Sequence, residues 1–312
     1  MSHIEEIKPF VYATIGAFDG IHVGHQQLIR SMVDQTKIDQ KNSLVVTFDP
    51  HPAVVLKSLP MPFYITSPSE KEHILRQLGV NHVLSLKFDR TLSSLEPEEF
   101  INLLLQDYNI EQLWLGKDFA LGKNRSGNLT VLSKIGKNKG FKVIETQHIH
   151  DKGIKVSSSI IRKWIQDGNF PETPKALNRY YSLHGQVTHG DSRGKGLGFP
   201  TANLEVWEGK LLPRPGVYAT WLTIEKNEFL SVTNVGFRPT FEKQMLMPRI
   251  EVHILDFDRD IYNHKVQLHF VEQLRPEIKF DSIELLVNQI SKDKRRAEEI
   301  LRNATKPSDL FT

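Results

Sequence analysis

Two histidines three positions apart lie near the start of the chain, where an apolar run gives way to a helical pattern. The segment 16–25 reads GAFDGIHVGH and contains the pair, His22 and His25. The apolar run 11–18 predicts a buried strand, and apolar residues at helical spacing follow the pair. Imidazole rings at positions i and i+3 of a helix reach toward the same point. Polarised or protonated, they can stabilise the charge that builds on a phosphoryl group during its transfer.

Two glycines, Gly20 and Gly24, favour the same chemistry. Glycine lets the backbone approach a ligand closely, and the first N–H groups of a helix, with the positive end of its dipole, attract an anion. Two other interpretations are open: the histidines are ordinary polar residues of a turn, or they are two ligands of a metal. Metal binding is the weaker of these, because the sequence has no cysteine and no third histidine at a recognisable zinc spacing.

Three more polar segments of the first half follow predicted strands or open a helix: 47–52 (TFDPHP), 115–122 (LGKDFALG) and 156–162 (VSSSIIR). The second of them contains Asp118. In the third, Ser158 and Ser159 open a helix and Arg162 lies one turn inside it. Such serines hold a phosphate or, more commonly, cap the helix.

Apolar strands alternate with amphipathic helices from residue 11 to about residue 168. The strands are predicted at 43–48, 82–86, 112–115 and 142–145, and the helices at 67–78, 97–107 and 158–167. This alternation predicts a doubly wound parallel sheet of the α/β class. Ligands of such sheets bind beyond the carboxyl ends of the strands, which is where we expect His22 and His25.

The pattern changes in the second half. The segment 168–174 contains one glycine and two prolines and is predicted as a linker. Beyond Tyr181 the apolar period becomes two, as in 250–255 and 266–270, with glycine and proline clustered between the runs. We therefore expect a small closed or nearly closed antiparallel β-barrel, followed by a helix at 282–302.

The composition is that of a soluble globular protein. The 312 residues are 39% hydrophobic and 25% charged, and they suffice for two domains. A net charge of +3 is small for this length, so no general affinity for nucleic acid is expected. No apolar run reaches the roughly 18 residues that span a bilayer, and the first residues lack the pattern of a signal peptide. A membrane transporter is excluded, a cytoplasmic location is expected, and no feature specifies an oligomeric state.

The segments of the first half, taken in order, resemble the adenylyltransferase module of the bifunctional riboflavin kinase/FAD synthetases of bacteria. The second half carries four segments that resemble the riboflavin kinase module of the same family: 189–203 (HGDSRGKGLGFPTAN), 234–241 (NVGFRPTF), 251–257 (EVHILDF) and 274–280 (LRPEIKF). The resemblance implies an FMN adenylyltransferase domain at 1–170, a linker at 171–180 and a riboflavin kinase domain at 181–312. The expected fold is a nucleotidyltransferase-like parallel sheet followed by a riboflavin kinase-like barrel with a C-terminal helix.

The resemblance implies roles for residues of the barrel. The residue matching Glu251 is the general base on the ribityl 5′-hydroxyl of riboflavin, although a solvated glutamate of a strand has the same pattern. Thr201 and Asn203 offer hard oxygen ligands for Mg²⁺. The positions expected to bind ATP or its phosphates are Gly190, Gly194, Lys195, Gly198 and Asn234.

In the first half, His22 and His25 would stabilise the transition state at the α-phosphate of ATP. The phosphate-binding positions would be Gly20, Gly24, Asp118, Ser158, Ser159 and Arg162. Phe63 and Tyr64 could pack on the flavin ring, although aromatic side chains more often belong to the core.

The sequence therefore predicts an enzyme of FAD biosynthesis that uses Mg²⁺ and ATP. It would phosphorylate riboflavin to FMN and transfer AMP from ATP to FMN, giving FAD and pyrophosphate. Three departures from the family pattern, Ala120, Leu121 and Glu242, keep open the alternative that only one of the two activities is retained. A second alternative is a flavin- or nucleotide-sensing protein without turnover.

Overall fold

A computed structural model of the chain describes residues 8–146, 156–189, 198–239 and 246–310. The chain divides into two compact units, Met1–Val156 and Ser157–Thr312.

The first unit is built on a five-stranded parallel sheet with the strand order β3-β2-β1-β4-β7. Its strands, with a short antiparallel pair formed by β5 and β6, are β1 (Phe10–Ile15), β2 (Asn42–Asp49), β3 (His82–Lys87), β4 (Asn109–Gly116), β5 (Ala120–Leu121), β6 (Gly127–Asn128) and β7 (Lys142–Thr146). This order, in which β1 lies between β2 and β4, confirms the predicted doubly wound sheet. It places the carboxyl ends of β1, β2 and β4 side by side.

Six helices accompany this sheet within the described part of the unit: α1 (Val23–Ile38), α2 (Pro52–Lys57), α3 (Pro68–Gln77), α4 (Arg90–Ser94), α5 (Pro97–Leu105) and α6 (Leu129–Lys139). Helix α3 begins with a capping box, in which Ser67 and Glu70 each accept the backbone N–H of the other. The first strand ends at Ile15, three residues before the predicted end, because Phe18 takes the left-handed conformation with φ of 47°. The residues that follow Ile15 form the turn into α1.

The second unit is a closed barrel with the strand order β10-β11-β12-β9-β8-β13. Its elements are α7 (Ser158–Asp167), α8 (Thr173–Leu177), β8 (Tyr181–Thr188), β9 (Ala202–Val206), β10 (Gly216–Ile224), β11 (Asn227–Pro239), β12 (Leu246–Ile254), β13 (Lys265–Pro276), α9 (Ile283–Asn303) and α10 (Pro307–Leu310). The predicted antiparallel barrel and its C-terminal helix are confirmed. All strand pairs within the barrel are antiparallel.

The segment 171–180, predicted as a linker, is partly folded. It contains α8, whose Thr173, Ala176 and Leu177 are buried. Just before it, Phe170 is fully buried and stacks on Phe270 of the barrel interior, with ring centroids 4.9 Å apart. The functional boundary between the two domains stays a prediction.

Helix α9 covers the outer face of the barrel. Ala297 and Leu301 of the helix pack against Ala219, Trp221 and Val271. The N-terminal half of the helix lines a cavity described below. Among the described helices, none is long and apolar enough to cross a membrane.

Candidate active sites

The turn between β1 and α1 brings the two predicted histidines together. His22 is the N-cap of α1, and its Nδ1 accepts the backbone N–H of His25 at 3.4 Å. The two imidazole rings stack with centroids 3.7 Å apart and an interplanar angle of 19°. Phe18 contacts His25 edge-on at a centroid distance of 5.1 Å. The two rings therefore lie face to face at the positive end of the helix dipole.

Gly20 is required by the shape of this turn. Its φ is +81°, and an added Cβ would lie 3.1 Å from the side chain of Ile65. A Cβ on Gly24 would lie 3.3 Å from the ring of His22. A side chain at either position would disturb the turn or the histidine that caps the helix.

A buried carboxylate, Asp19, fastens the turn to the segment before α3. Its oxygens accept the backbone N–H groups of Ile65 and Thr66 at 3.0–3.1 Å and the hydroxyl of Thr66 at 3.2 Å. The Thr66 hydroxyl oxygen in turn lies 3.1 Å from the backbone N of Gly20 and accepts its N–H. Asp19 was not assigned a role from the sequence, where its only signal was a single acidic residue in the histidine turn.

Asp118 lies beyond the carboxyl end of β4, at the same sheet edge as the histidine turn. Its side chain is exposed, and its backbone carbonyl accepts a hydrogen bond from Arg125 at 3.2 Å. Two departures from the family pattern lie nearby. Leu121 is buried in the hydrophobic core of the unit, whereas Ala120 is partly exposed.

Ser158, Ser159 and Arg162 lie in the first turns of α7. The cap of this helix is Ser157, whose hydroxyl accepts the N–H of Ile160 at 3.4 Å. Ser159 is exposed and the other two predicted residues are partly exposed. Because α7 belongs to the second compact unit, the binding of one nucleotide by these residues and by the histidines stays a prediction.

Of the aromatic side chains Phe63 and Tyr64, the first lies partly at the surface and the second in the core. Tyr64 is buried, and its hydroxyl accepts the backbone N–H of His51 at 2.8 Å. Phe63 is partly exposed and meets the ring of His51 edge-on at 5.1 Å. Of the two, only Phe63 has accessible surface to offer a flavin ring.

In the barrel, the strand register assembles a row of functional side chains. Glu251 of β12 pairs with Asn203 of β9 on one side and with Asn234 of β11 on the other. The row continues through Val217 of β10 to Arg275 of β13. Directly paired residues project from the same face of a sheet. The register therefore gathers on one face residues that are far apart in the sequence.

Glu251 projects from the face expected of it. Its neighbours Ile250 and Val252 are buried, whereas about a fifth of the Glu251 side chain is exposed. The carboxylate forms an ion pair with Arg249, which is two residues earlier on the same strand and on the same face.

A cavity of about 310 Å³ lies between this face and α9. Its polar lining includes Glu251, Asn234, Thr201, Arg275 and Glu277. The apolar lining comprises Phe199, Val217, Val232, Ile278, Phe280, Leu286 and Ile290. A mostly apolar cavity with a few convergent polar groups is typical of a site for a small organic ligand.

An ion pair holds α9 in place as the wall of this cavity. Asp293 is buried, and one of its oxygens lies 2.9 Å from both Nε and Nη2 of Arg275. The other oxygen accepts the amide N–H of Gln289 at 2.8 Å. The guanidinium also lies over the ring of Phe280, 5.6 Å from its centroid. Sequence reasoning missed this pair, because its partners are 18 residues apart on different elements.

A second cavity of about 310 Å³ shares Thr201 with the first. Its lining residues are Val187, Pro200, Thr201, Ala202, Val252, Ile254, Phe257, Asp258, Arg259, Asp260, Ile261 and Tyr262. His253 fixes its edge by donating from Nδ1 to the carbonyl of Pro200 at 2.8 Å. Burial lowers the pKa of His253, which favours the neutral ring. Thr201 thus lies where the two cavities meet.

The predicted glycine-rich loop is only partly described. Gly198 has φ of +84°, which favours glycine, and among the described residues other than its chain neighbours no heavy atom lies within 4 Å of a Cβ added there. Gly190, Gly194, Lys195 and Glu242 lie outside the described residues.

Comparisons with known proteins identify a family for each half of the chain. The family model for FAD synthetase matches residues 4–160, and the model for riboflavin kinase matches residues 177–301. Proteins called bifunctional riboflavin kinase/FMN adenylyltransferase are similar over most of their length. The Bacillus subtilis protein is 34% identical, with 97% of this chain and 96% of that protein covered. The Escherichia coli K12 protein is 33% identical, with 95% and 94% covered.

A solved structure is also similar over nearly the whole chain. It is described as a macrolide-efflux protein from Streptococcus pneumoniae, and it matches with a TM-score of 0.84 and 32% identity. The match covers 97% of each chain. That description concerns the pneumococcal protein, and the match shows a shared fold. With both family models matched in order and relatives covered almost end to end, the chain belongs to the family of bifunctional riboflavin kinase/FMN adenylyltransferases.

Proposed function

We propose that the barrel phosphorylates riboflavin with ATP to give FMN, and that the parallel-sheet unit transfers AMP from a second ATP to FMN, giving FAD and pyrophosphate. The observation that carries the proposal is that Glu251, paired with Asn203 on one side and Asn234 on the other, lines together with Asn234 a cavity suited to an organic ring system. The stacked histidines at the start of α1 supply the second centre.

In the kinase step, Glu251 accepts the proton of the ribityl 5′-hydroxyl as that oxygen attacks the γ-phosphorus of ATP, the bond to the β,γ-bridging oxygen breaks and ADP leaves. The apolar wall of the cavity holds the flavin ring, and the carboxylate belongs to its polar lining. Arg249 competes for the carboxylate through the ion pair, so the base is free to act once Arg249 turns toward a phosphate or solvent. A positioned base contributes about 10²- to 10⁴-fold to such a step.

The residues present fit a magnesium ion. Thr201 and Asn203 offer a hydroxyl and an amide oxygen beside Glu251, and Mg²⁺ takes few protein ligands when substrate phosphates complete its shell. Among the described residues, no group of three or more His, Asp or Glu side chains is placed to hold a metal alone. When bound with ATP, Mg²⁺ neutralises phosphate charge.

In the adenylyl step, His22 and His25 face the α-phosphate and stabilise the negative charge that develops as a phosphate oxygen of FMN attacks. The N–H groups at the start of α1 add their partial positive charge. Asp118, Ser158, Ser159 and Arg162 contact the nucleotide or its phosphates. Neither step requires a covalent enzyme intermediate, because positioning and charge neutralisation suffice for in-line transfer.

The proposal also assigns the adenylyltransferase to residues 1–170 and the kinase to 181–312, joined through 171–180. We place the protein in the cytoplasm, where ATP is abundant, with small-molecule flavins and ATP as its partners.

The test is chromatography of flavins after the protein is incubated with ATP, Mg²⁺ and either riboflavin or FMN. FAD from both flavins supports the proposal. FMN from riboflavin with no FAD from FMN would restrict catalysis to the barrel, and FAD from FMN alone would restrict it to the other unit. Flavin binding without any product would favour a sensing protein.

A further inference from the structure

A buried lysine, Lys71, connects the carboxyl ends of the adjacent strands β1 and β2 of the parallel sheet. It lies in the first turns of α3 and is only 6% exposed. Its Nζ donates to the hydroxyl of Thr47 at 2.9 Å and to the carbonyls of Ala17 and Phe48 at 3.3 Å each. Three acceptors match the three donors of an ammonium group.

These acceptors belong to the segments that direct the histidine turn. Ala17 follows β1 and precedes the histidines by five and eight residues, and Thr47 and Phe48 lie at the end of β2. The Thr47 hydroxyl also donates to the Ala17 carbonyl at 3.1 Å. The beginning of the turn is therefore fixed by two hydrogen bonds to the Ala17 carbonyl oxygen, one from Thr47 of β2 and one from Lys71 of α3.

The same helix holds the middle of the turn. The backbone just before α3 donates to Asp19, and the Thr66 hydroxyl accepts the N–H of Gly20. Lys71 and Asp19 therefore fasten the turn to α3 at two separate points.

Placing an ammonium group here is unfavourable in itself. Burial lowers the pKa of Lys71, and the carboxylates of Asp19 and Asp49 oppose that effect. A methionine would fill a similar volume without the desolvation of a charge. The charged group is thus better explained by the carbonyls that it orients than by packing.

We infer that Lys71 is a positioning residue for adenylyl transfer, because its hydrogen bonds fix the direction in which the chain leaves β1 and so place His22 and His25 at the α-phosphate. The inference rests on the proposed roles of the histidines. A displacement of about 1 Å at reacting groups can reduce a rate about 10²-fold.

The test compares Lys71→Met with the unmodified protein in the conversion of FMN to FAD. We expect kcat to fall about 10²-fold, with smaller changes in KM for FMN, because the reacting groups and not the flavin contacts are displaced. FMN formation from riboflavin, measured on the same preparation, should be unchanged. Lys37→Met makes the same substitution at an exposed lysine of α1 and should leave both activities unchanged.

A residue that only stabilises the fold would lower the unfolding temperature and leave kcat unchanged well below the transition, and that result would overturn the inference. If Lys71→Met prevents the first unit from folding, Thr47→Val replaces it as the test. This substitution removes one acceptor of the Lys71 ammonium group and one hydrogen bond to the Ala17 carbonyl while keeping the shape of the side chain. A lower kcat in that variant supports the inference, and an unchanged kcat overturns it. His25→Ala is assayed in parallel, because an unchanged rate there would remove the histidine assignment on which the inference rests.

Discussion

Replacing Asp293 by alanine should destabilise the barrel unit and weaken the binding of riboflavin in the cavity between the barrel and α9. The change removes the acceptor of one hydrogen bond from Arg275 Nε and one from Gln289, together with the ion-pair contact to Arg275 Nη2, all 2.8–2.9 Å long. The guanidinium would then lie in the wall of the cavity, largely buried, without its carboxylate partner. Helix α9 would also lose its polar attachment to β13.

The magnitude follows from the burial of the pair. The Arg275 side chain is 16% exposed and the Asp293 side chain 7%, so solvent screens their interaction weakly. Breaking a buried ion pair typically costs about 3–5 kcal/mol, and the partial exposure of the guanidinium favours the lower end, about 3 kcal/mol. For a unit of this size, that loss corresponds to a decrease of roughly 6–12 °C in the unfolding temperature.

The assay is heat inactivation of FMN formation, which reports on the barrel unit alone, together with kinase kinetics at a temperature where the variant is folded. We expect the inactivation temperature to fall by roughly 6–12 °C. We also expect KM for riboflavin to rise roughly tenfold, equivalent to about 1.4 kcal/mol of binding.

A matched control lies on the same helix. Arg296 and Glu299 form an ion pair of 2.9 Å, but their side chains are 56% and 65% exposed. Exposed pairs contribute little, so Glu299→Ala should leave stability and KM almost unchanged. Equal effects of Asp293→Ala and Glu299→Ala would refute the argument from burial.

Three further outcomes are expected. Glu251→Gln should lower FMN formation by about 10²- to 10⁴-fold and leave the conversion of FMN to FAD intact; loss of both activities would contradict two independent centres. His25→Ala should have the opposite effect, lowering FAD formation by about 10²- to 10³-fold while FMN accumulates from riboflavin. Burial lowers the pKa of His269 from 6.5 to about 3, so protonation of the unfolded chain should reduce barrel stability as the pH falls from 6.5 toward 3. At pH 5 this effect amounts to about 2 kcal/mol. His269→Gln can keep the hydrogen bond to Thr223. In this variant the free energy of unfolding, measured by denaturant titration, should differ less between pH 7.5 and pH 5 than in the unmodified protein; an identical difference would contradict the assigned cause.

Local patterns in the sequence were sufficient to predict most elements. Five helix and strand predictions in the first unit correspond to β2, β3, β7, α3 and α5, because apolar periodicity and capping residues act within a few residues of one another. The histidine pair was recognisable for the same reason, since His22 and His25 are held by a single turn of α1. The change of the apolar period near Tyr181 likewise indicated that a parallel-sheet unit is followed by an antiparallel barrel.

Tertiary structure decided which distant residues meet. Glu251 lies between Asn203 and Asn234 only because β9 and β11 pair with β12 in one register, and a shift by one residue would turn the carboxylate away from the cavity. The partners of Lys71 and Asp293 are likewise set by packing between separate elements, which leaves no periodic signal in the chain. The sequence by itself therefore determined many of the elements, the family motifs and the chemistry available. The folded structure alone determined the cavity, its wall and the bonds that hold each turn in place, because those depend on contacts between residues far apart in the chain.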